Sequence, residues 1–291
     1  MRIAFVNNKG GTGKTSVCVQ TASALARAGQ RVLVVDMDPQ TNATRRLGIP
    51  AMTVMSHPSI SEAIVAATPG AAAGAIMACG WDSPEAANID VLPARADLLN
   101  REHEVGPAGA LRRLSRALNG VTDDYDFTLI DTRPDLGHLV QMALVATDTV
   151  VIVTNPGYDS IEAATRIRDY IASSASDLYN DNLKVSGVIV NQYRPTAEAH
   201  FQIEGLTNLF GNLVWRFDSV PRGLYQPLPA FIPMWTRFEE ADAASAPLSA
   251  WTDRKGKDTT EIFDEIARRV AQLSTPIIAP IIELTNTRMA A

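Results

Sequence analysis

Residues 7–16 read Asn-Asn-Lys-Gly-Gly-Thr-Gly-Lys-Thr-Ser, between the apolar run Ile3-Ala4-Phe5-Val6 and a helix-forming run from Val17 to Ala28. A strand, a glycine-rich loop and a helix, in that order, make the setting that a phosphate-binding loop requires. Glycines let backbone N–H groups converge on phosphate oxygens at the positive end of a helix dipole. In such a loop Lys14 reaches the β- and γ-phosphates and the Thr15 hydroxyl binds Mg²⁺. The spacing departs from the usual one. The common pattern asks for glycine five residues before Gly13, where Asn8 stands; here Gly10 and Gly11 are adjacent and a second lysine, Lys9, precedes them.

Strand-like runs recur beyond the loop, at 2–7, 32–36, 89–93, 127–131, 149–155, 185–191 and 213–217. Most are continuous in Val, Ile and Leu, the mark of parallel strands buried on both faces. Helical stretches separate many of them, at 15–28, 61–67, 108–118, 139–145, 160–172, 197–209 and 259–273, the first ending at Gly29, a good residue just past a helix end. The alternation predicts an α/β fold, a doubly wound and mostly parallel sheet flanked by helices, with ligand at the carboxyl edge of the strands. Residues 66–88, rich in Ala, Gly and Pro, read as loop or short helix. A Pro- and Trp-rich surface excursion is expected at about 218–258. The length of 291 residues suits one large domain or two small ones, and residues 1–291 are taken as a single domain.

Composition narrows the function classes. Hydrophobic residues make up 46% and charged ones 20%, ordinary values for a globular protein. The net charge of −6 argues against a uniformly basic nucleic-acid binder and leaves a local patch open. Basic clusters at Arg45–Arg46, Arg112–Arg113–Arg116, Arg254–Lys255–Lys257 and Arg268–Arg269 read first as solvated faces. No apolar run approaches the ~20 residues of a membrane span, and because the sequence enters its first strand at once no leader is expected. Cys18 and Cys79 are distant in sequence, so a reduced, cytoplasmic protein is expected. The four histidines show no metal spacing, and no Ser-His-Asp arrangement can be argued.

Two further segments carry carboxylates to strand ends. Residues 34–40 read Val-Val-Asp-Met-Asp-Pro-Gln, so Asp36 and Asp38 stand at alternate positions where both can approach the loop. Residues 127–134 read Phe-Thr-Leu-Ile-Asp-Thr-Arg-Pro, an apolar-leaning run ending in Asp131, the pattern of a carboxylate that holds Mg²⁺ through water.

The form Lys-Gly-Gly-Thr-Gly-Lys-Thr at 9–15 resembles the deviant Walker A motif of the ParA/MinD family of ATPases, and the resemblance is nearest to ParA partition proteins of the small form. It implies ATP as ligand, bound by Lys9, Gly10, Gly11, Thr12, Gly13, Lys14, Thr15 and Ser16. Lys9 would cross a dimer interface to touch the partner's nucleotide. Residues 32–44 resemble the family's second segment, which makes Asp38 the water-orienting residue and lets Asp36 support the loop lysines and the metal shell. Where the family reads Asp-Thr-Pro-Pro-Gly after the third strand, this chain carries Arg133 and Asp135. Two looser matches are Asn191, whose carboxamide can pair with an adenine edge, and Pro221, placed where relatives line the base pocket. Residues 238–248 resemble the segment before the family's last helix.

The resemblance implies an ATP-dependent homodimer of slow, partner-stimulated turnover. Lys9, Lys14 and Asp38 would carry the catalysis, with Thr15, Asp131 and Asp36 about the metal. It further implies non-specific DNA binding, a ParB-like partner and a role in plasmid or chromosome partition, with nucleoid association if DNA binding holds. MinD-like membrane binding is not expected, because the C-terminal stretch is broken by Pro276 and Pro280 and carries only Arg288 as a basic residue. Gly211 and Asn212 stand where DNA-coating relatives often carry a basic residue. Two alternatives stay open: positioning of a non-DNA cargo, and a metabolic ATP-dependent enzyme on the same fold.

Overall fold

In the computed structural model, which describes residues 1–219 and 227–274, the Val, Ile and Leu runs join in one eight-stranded sheet. Its strands are β1 (Arg2–Val6), β2 (Val32–Met37), β3 (Met77–Ala78), β4 (Ile89–Leu92), β5 (Phe127–Thr132), β6 (Thr149–Thr154), β7 (Val185–Val190) and β8 (Val214–Trp215). The order across the sheet is β3-β4-β2-β5-β1-β6-β7-β8, with every pair parallel except β3 and β4. This is the α/β, mostly parallel architecture that the alternating pattern predicts. The chain winds outward from β1 to β2 on one side and to β6 on the other, so a crevice opens where β1, β5 and β2 end.

Side chains of a strand alternate between the two faces, and both faces here are buried. Ile3 and Phe5 of β1, Val32 and Val34 of β2 and Phe127 and Leu129 of β5 join one apolar cluster, packed under α1 (Lys14–Arg27) and α11 (Arg254–Leu273). Ala4, Val6, Leu33, Val35 and Ile130 join the other, covered by α4 (Ile60–Ala66), α6 (Arg113–Leu118), α7 (His138–Val145), α8 (Tyr158–Ser174) and α9 (Ala197–Phe210). Burying each large aliphatic side chain is worth about 1.5–3 kcal/mol. That offsets the cost of the charged groups the same strands carry at their carboxyl ends.

The remaining helices are α2 (Asn42–Arg46), α3 (Ala51–Met55), α5 (Leu99–Glu102) and α10 (Arg237–Ala244). Within the excursion expected at about 218–258, the described residues hold α10, and α11 begins before its end. Asp253 starts α11, its side chain accepting from Gly256 N at 3.3 Å. A side chain at position 256 would collide with the Trp251 carbonyl, so glycine is tolerated inside this helix for close packing. Among the described residues no helix is long and apolar enough to cross a membrane. The C-terminal stretch from Thr275 on, and the expectation made of it, lie outside the described residues.

Candidate nucleotide site

The glycine loop is shaped from below. Asn7, buried at the end of β1, donates from Nδ2 to Val153 O at 2.9 Å and accepts from Lys9 N at 3.0 Å, which turns the chain out of the sheet. Gly11 and Gly13 have φ of 77° and 84°, the left-handed region where a Cβ is strained. A Cβ on Gly13 would also collide with Asn191 Nδ2, which donates to Thr12 O at 2.9 Å. Helix α1 then starts at Lys14 with no side-chain cap and no acid in its first turn. Its leading amides are therefore available to an anion.

Lys14 is only 6% exposed, and its Nζ donates to Lys9 O at 3.2 Å. Burial pulls its pKa below the ordinary lysine value, while Asp131, Asp38 and Asp135 push it back up. Asp131, at the end of β5, is fully buried, and among the described residues neither of its oxygens has a well-aligned hydrogen-bond partner, the Thr15 hydroxyl standing beside it. Burial, reinforced by the charge of Asp36, raises its pKa to about 8, against the pull of the Thr15 hydroxyl and Lys14. A buried carboxylate with uncommitted oxygens beside a threonine hydroxyl is a donor set that fits a hard divalent cation such as Mg²⁺.

The two acids of β2 divide their work. Asp38 lines the cavity above the loop, with Oδ1 accepting from Gln40 N at 2.9 Å. Asp36 sits behind it, fully buried: Oδ1 accepts from Asp38 N at 3.1 Å, and Oδ2 accepts from Thr44 N at 2.9 Å and Thr44 Oγ1 at 2.7 Å. Burial raises its pKa to about 6, even though the two bonds from Thr44 and that from Asp38 favour the ionised form. Asp36 thus pins the start of α2, and with it the Asp38–Asn42 wall. Its oxygens thus brace that wall, directly behind the position of Asp38.

The cavity over the loop measures about 460 Å³ and is lined by Gly10, Gly11, Gly13, Lys14, Thr15 and Asp38, joined from the β5 side by Thr132, Arg133 and Pro134. A larger cavity, about 630 Å³, opens on the far side of Pro39 against Ile49, Val54 and Ala94, and shares none of the loop residues. Ser16 turns away from the loop: its Oγ accepts from Arg46 Nη1 at 2.9 Å and reaches Asp242 Oδ2 at 3.4 Å, while Arg46 Nη2 pairs with Asp242 at 2.7 Å. Lys9 points outward, its Nζ 2.6 Å from Asp159 Oδ2 in the first turn of α8.

Thus the fold brings Gly10, Gly11, Gly13, Lys14, Thr15 and Asp38 around one space, with Asp131 beneath it. Thr12 and Asn191 support the loop from inside, Asn191 donating one amide hydrogen to Thr12 O. Pro221 lies outside the described residues. Sequence reasoning missed Asp159, Thr44, Arg46 as an inward-facing residue, and Asp242. Asp159 and Asp242 are distant in the chain from their partners Lys9, Ser16 and Arg46, whereas Thr44, Arg46 and Asp242 all fell in segments already singled out, with their partners unread.

A glycine loop after the first strand, with carboxylates at the ends of two neighbouring strands, defines a P-loop nucleotide-binding fold. Residues 1–185 match the family model described as an AAA domain, and the chain belongs to the ParA/MinD family of ATPases. The sporulation initiation inhibitor protein Soj of Bacillus subtilis is 30% identical over 279 residues, covering 92% of this chain and 97% of its own. Among solved structures, an ATP complex of McdA from Cyanothece superposes with a TM-score of 0.75 at 18% identity, over 92% of this chain and 95% of that one. The septum site-determining protein MinD of Pyrococcus horikoshii, solved with Mg-ADP, gives 0.69 at 20% identity, over 95% and 99%. At those identities the likeness shows a shared fold.

Proposed function

We propose that this chain is an ATP-driven positioning switch of the partition type. ATP lies with its phosphates on the amides of Gly10 to Ser16, and Lys14 leaves the Lys9 carbonyl to meet them. Thr15 and Asp131 would hold Mg²⁺, which when bound would neutralise phosphate charge. Asp38, in the opposite wall, orients the attacking water. The observation that carries this reading is Asp131: a fully buried carboxylate with neither oxygen in a well-aligned hydrogen bond among the described residues, next to Thr15 and Lys14. Left unpaired, such a group costs stability, and a nucleotide-bound cation removes that cost.

Two copies then pair across their nucleotide sites, each Lys9 completing the other's. A cation lent in trans stabilises charge in phosphoryl transfer and makes pairing depend on the triphosphate. The ATP dimer binds DNA without sequence preference through Lys and Arg contacts to phosphate, a ParB-like partner stimulates hydrolysis, and the subunits part. The match to the chromosome-partitioning ATPase Soj of Thermus thermophilus, 33% identical over 77% of this chain and 82% of its own, supports the partition reading.

DNA pelleting with Mg-ATP in rising salt tests it. Binding that needs ATP and weakens with salt supports phosphate contacts. ATP binding without any DNA binding at low salt would remove the segregation reading and leave a switch for another cargo.

A further inference from the structure

We propose that Arg133 is a phosphate-reading cation of the same site, supplied in cis by the loop after β5, and that Asp135 and Glu102 hold it in reserve until a triphosphate enters. The inference rests on the nucleotide reading above and deepens it to the discrimination of ATP from ADP.

Three observations carry it. The first is position. Arg133 lines the cavity over the glycine loop, and the ring of the next residue, Pro134, lies 3.9 Å from where a Cβ on Gly10 would stand. The loop after β5 therefore forms a wall of the phosphate space.

The second is how loosely the guanidinium is held. Among the described residues its one hydrogen bond runs from Nη1 to Glu102 Oε2 at a long 3.4 Å. Nε stands 2.5 Å from Asp135 Oδ2, but this buried nitrogen makes no hydrogen bond there, so the contact is an ion pair out of line. Arg46, on the same cavity, is the contrast: it is fixed by Ser16 at 2.9 Å and Asp242 at 2.7 Å.

The third is what Arg133 leaves behind when it moves. Glu102 accepts from His138 N at 2.8 Å and Leu139 N at 3.1 Å, the first amides of α7. Asp135 accepts from Gly137 N at 2.9 Å. Both acids keep backbone donors when the guanidinium departs, so neither is stranded. An arginine fork suits phosphate oxygens, and the charge a triphosphate adds over a diphosphate is what competes with two carboxylates already in place.

Titration of the full chain with fluorescent ATP and fluorescent ADP, both with Mg²⁺, tests this in the wild type, Arg133→Ala and Arg133→Lys. Arg133→Ala should weaken ATP about tenfold and leave ADP unchanged, unchanged ADP binding also showing that the variant is folded. Arg133→Lys, with the charge but without the planar fork, should recover part of the difference. An ATP-to-ADP preference in Arg133→Ala equal to that of the wild type, or equal loss of both nucleotides in both variants, would overturn the proposal. A wild-type chain that bound neither nucleotide would instead overturn the nucleotide reading on which it stands.

Discussion

Lys9 Nζ lies 2.6 Å from Asp159 Oδ2, so the ammonium before the glycine loop is tied within its own chain to the first turn of α8. The bond holds the Asp159 carboxyl below the ordinary aspartate range. Both side chains are exposed, and such a surface pair adds little to stability. Asp159→Ala should leave the melting temperature unchanged while easing release of Lys9. ATP-dependent dimers should then form at equal or lower protein concentration. Lys9→Ala should keep ATP binding and lose the dimer. Sedimentation velocity separates the two; a dimer unaffected in Lys9→Ala would refute the trans role.

Asp131 gives a pH dependence of definite sign. Folded Asp131 keeps its proton up to about pH 8, whereas an ordinary aspartate loses it near 3.8. Between those values the folded chain binds the extra proton, so ligand-free stability falls as pH rises through that window. Asp131→Asn should flatten the profile and stabilise the ligand-free chain near its upper end, by on the order of 1 kcal/mol or more. It should also lose Mg²⁺-dependent nucleotide binding. Urea unfolding at about pH 5 and about pH 8 checks the slope; a profile as steep in the variant as in the wild type would count against the assignment.

Gly13 and Asn191 form one joint. Gly13→Ala must hold a φ of 84° and displace Asn191, a strain of about 1–3 kcal/mol, and should abolish nucleotide binding. Asn191→Ala removes the partner of the Thr12 carbonyl and should cost about 1–3 kcal/mol. Its nucleotide affinity should fall for ATP and ADP alike, because the loop is loosened while every group that meets the phosphates is kept. Denaturant midpoints with parallel titrations measure both effects.

Asp38 stands in the cavity wall, committed only to the turn it opens. Asp38→Ala should bind ATP as the wild type does and accumulate the ATP dimer, with phosphate release abolished. Turnover at the wild-type rate in this variant would sink the water-orienting role.

The loop and the sheet were legible because their signals are local. Glycines, lysines and a strand–helix junction sit in one stretch, and fully buried parallel strands declare themselves as unbroken Val and Ile runs. Strand β3 escaped notice because Met77–Ala78 is a two-residue antiparallel edge. Helices α2 and α3 escaped because neither has a side-chain cap; α2 even starts from Thr41 in a left-handed conformation. What the sequence does not show is which side chains meet once the elements assemble. Asp36 belongs to Thr44 and Asn191 to Thr12, pairings that depend on how β2, α2 and β7 come together. Lys9 with Asp159 and Arg133 with Glu102 likewise join separate elements, and no spacing rule reaches them.

The ammonium of Lys14, resting on a carbonyl that a phosphate would displace, is the hinge of the proposed switch. Sedimentation velocity of the wild type and Lys14→Ala, each with Mg²⁺ and either ATP or ADP, probes it most directly. The wild type should run as a monomer with ADP and as a dimer with ATP, and Lys14→Ala as a monomer with both. A wild type that stayed monomeric under saturating ATP, or formed the same dimer whatever the nucleotide, would contradict it.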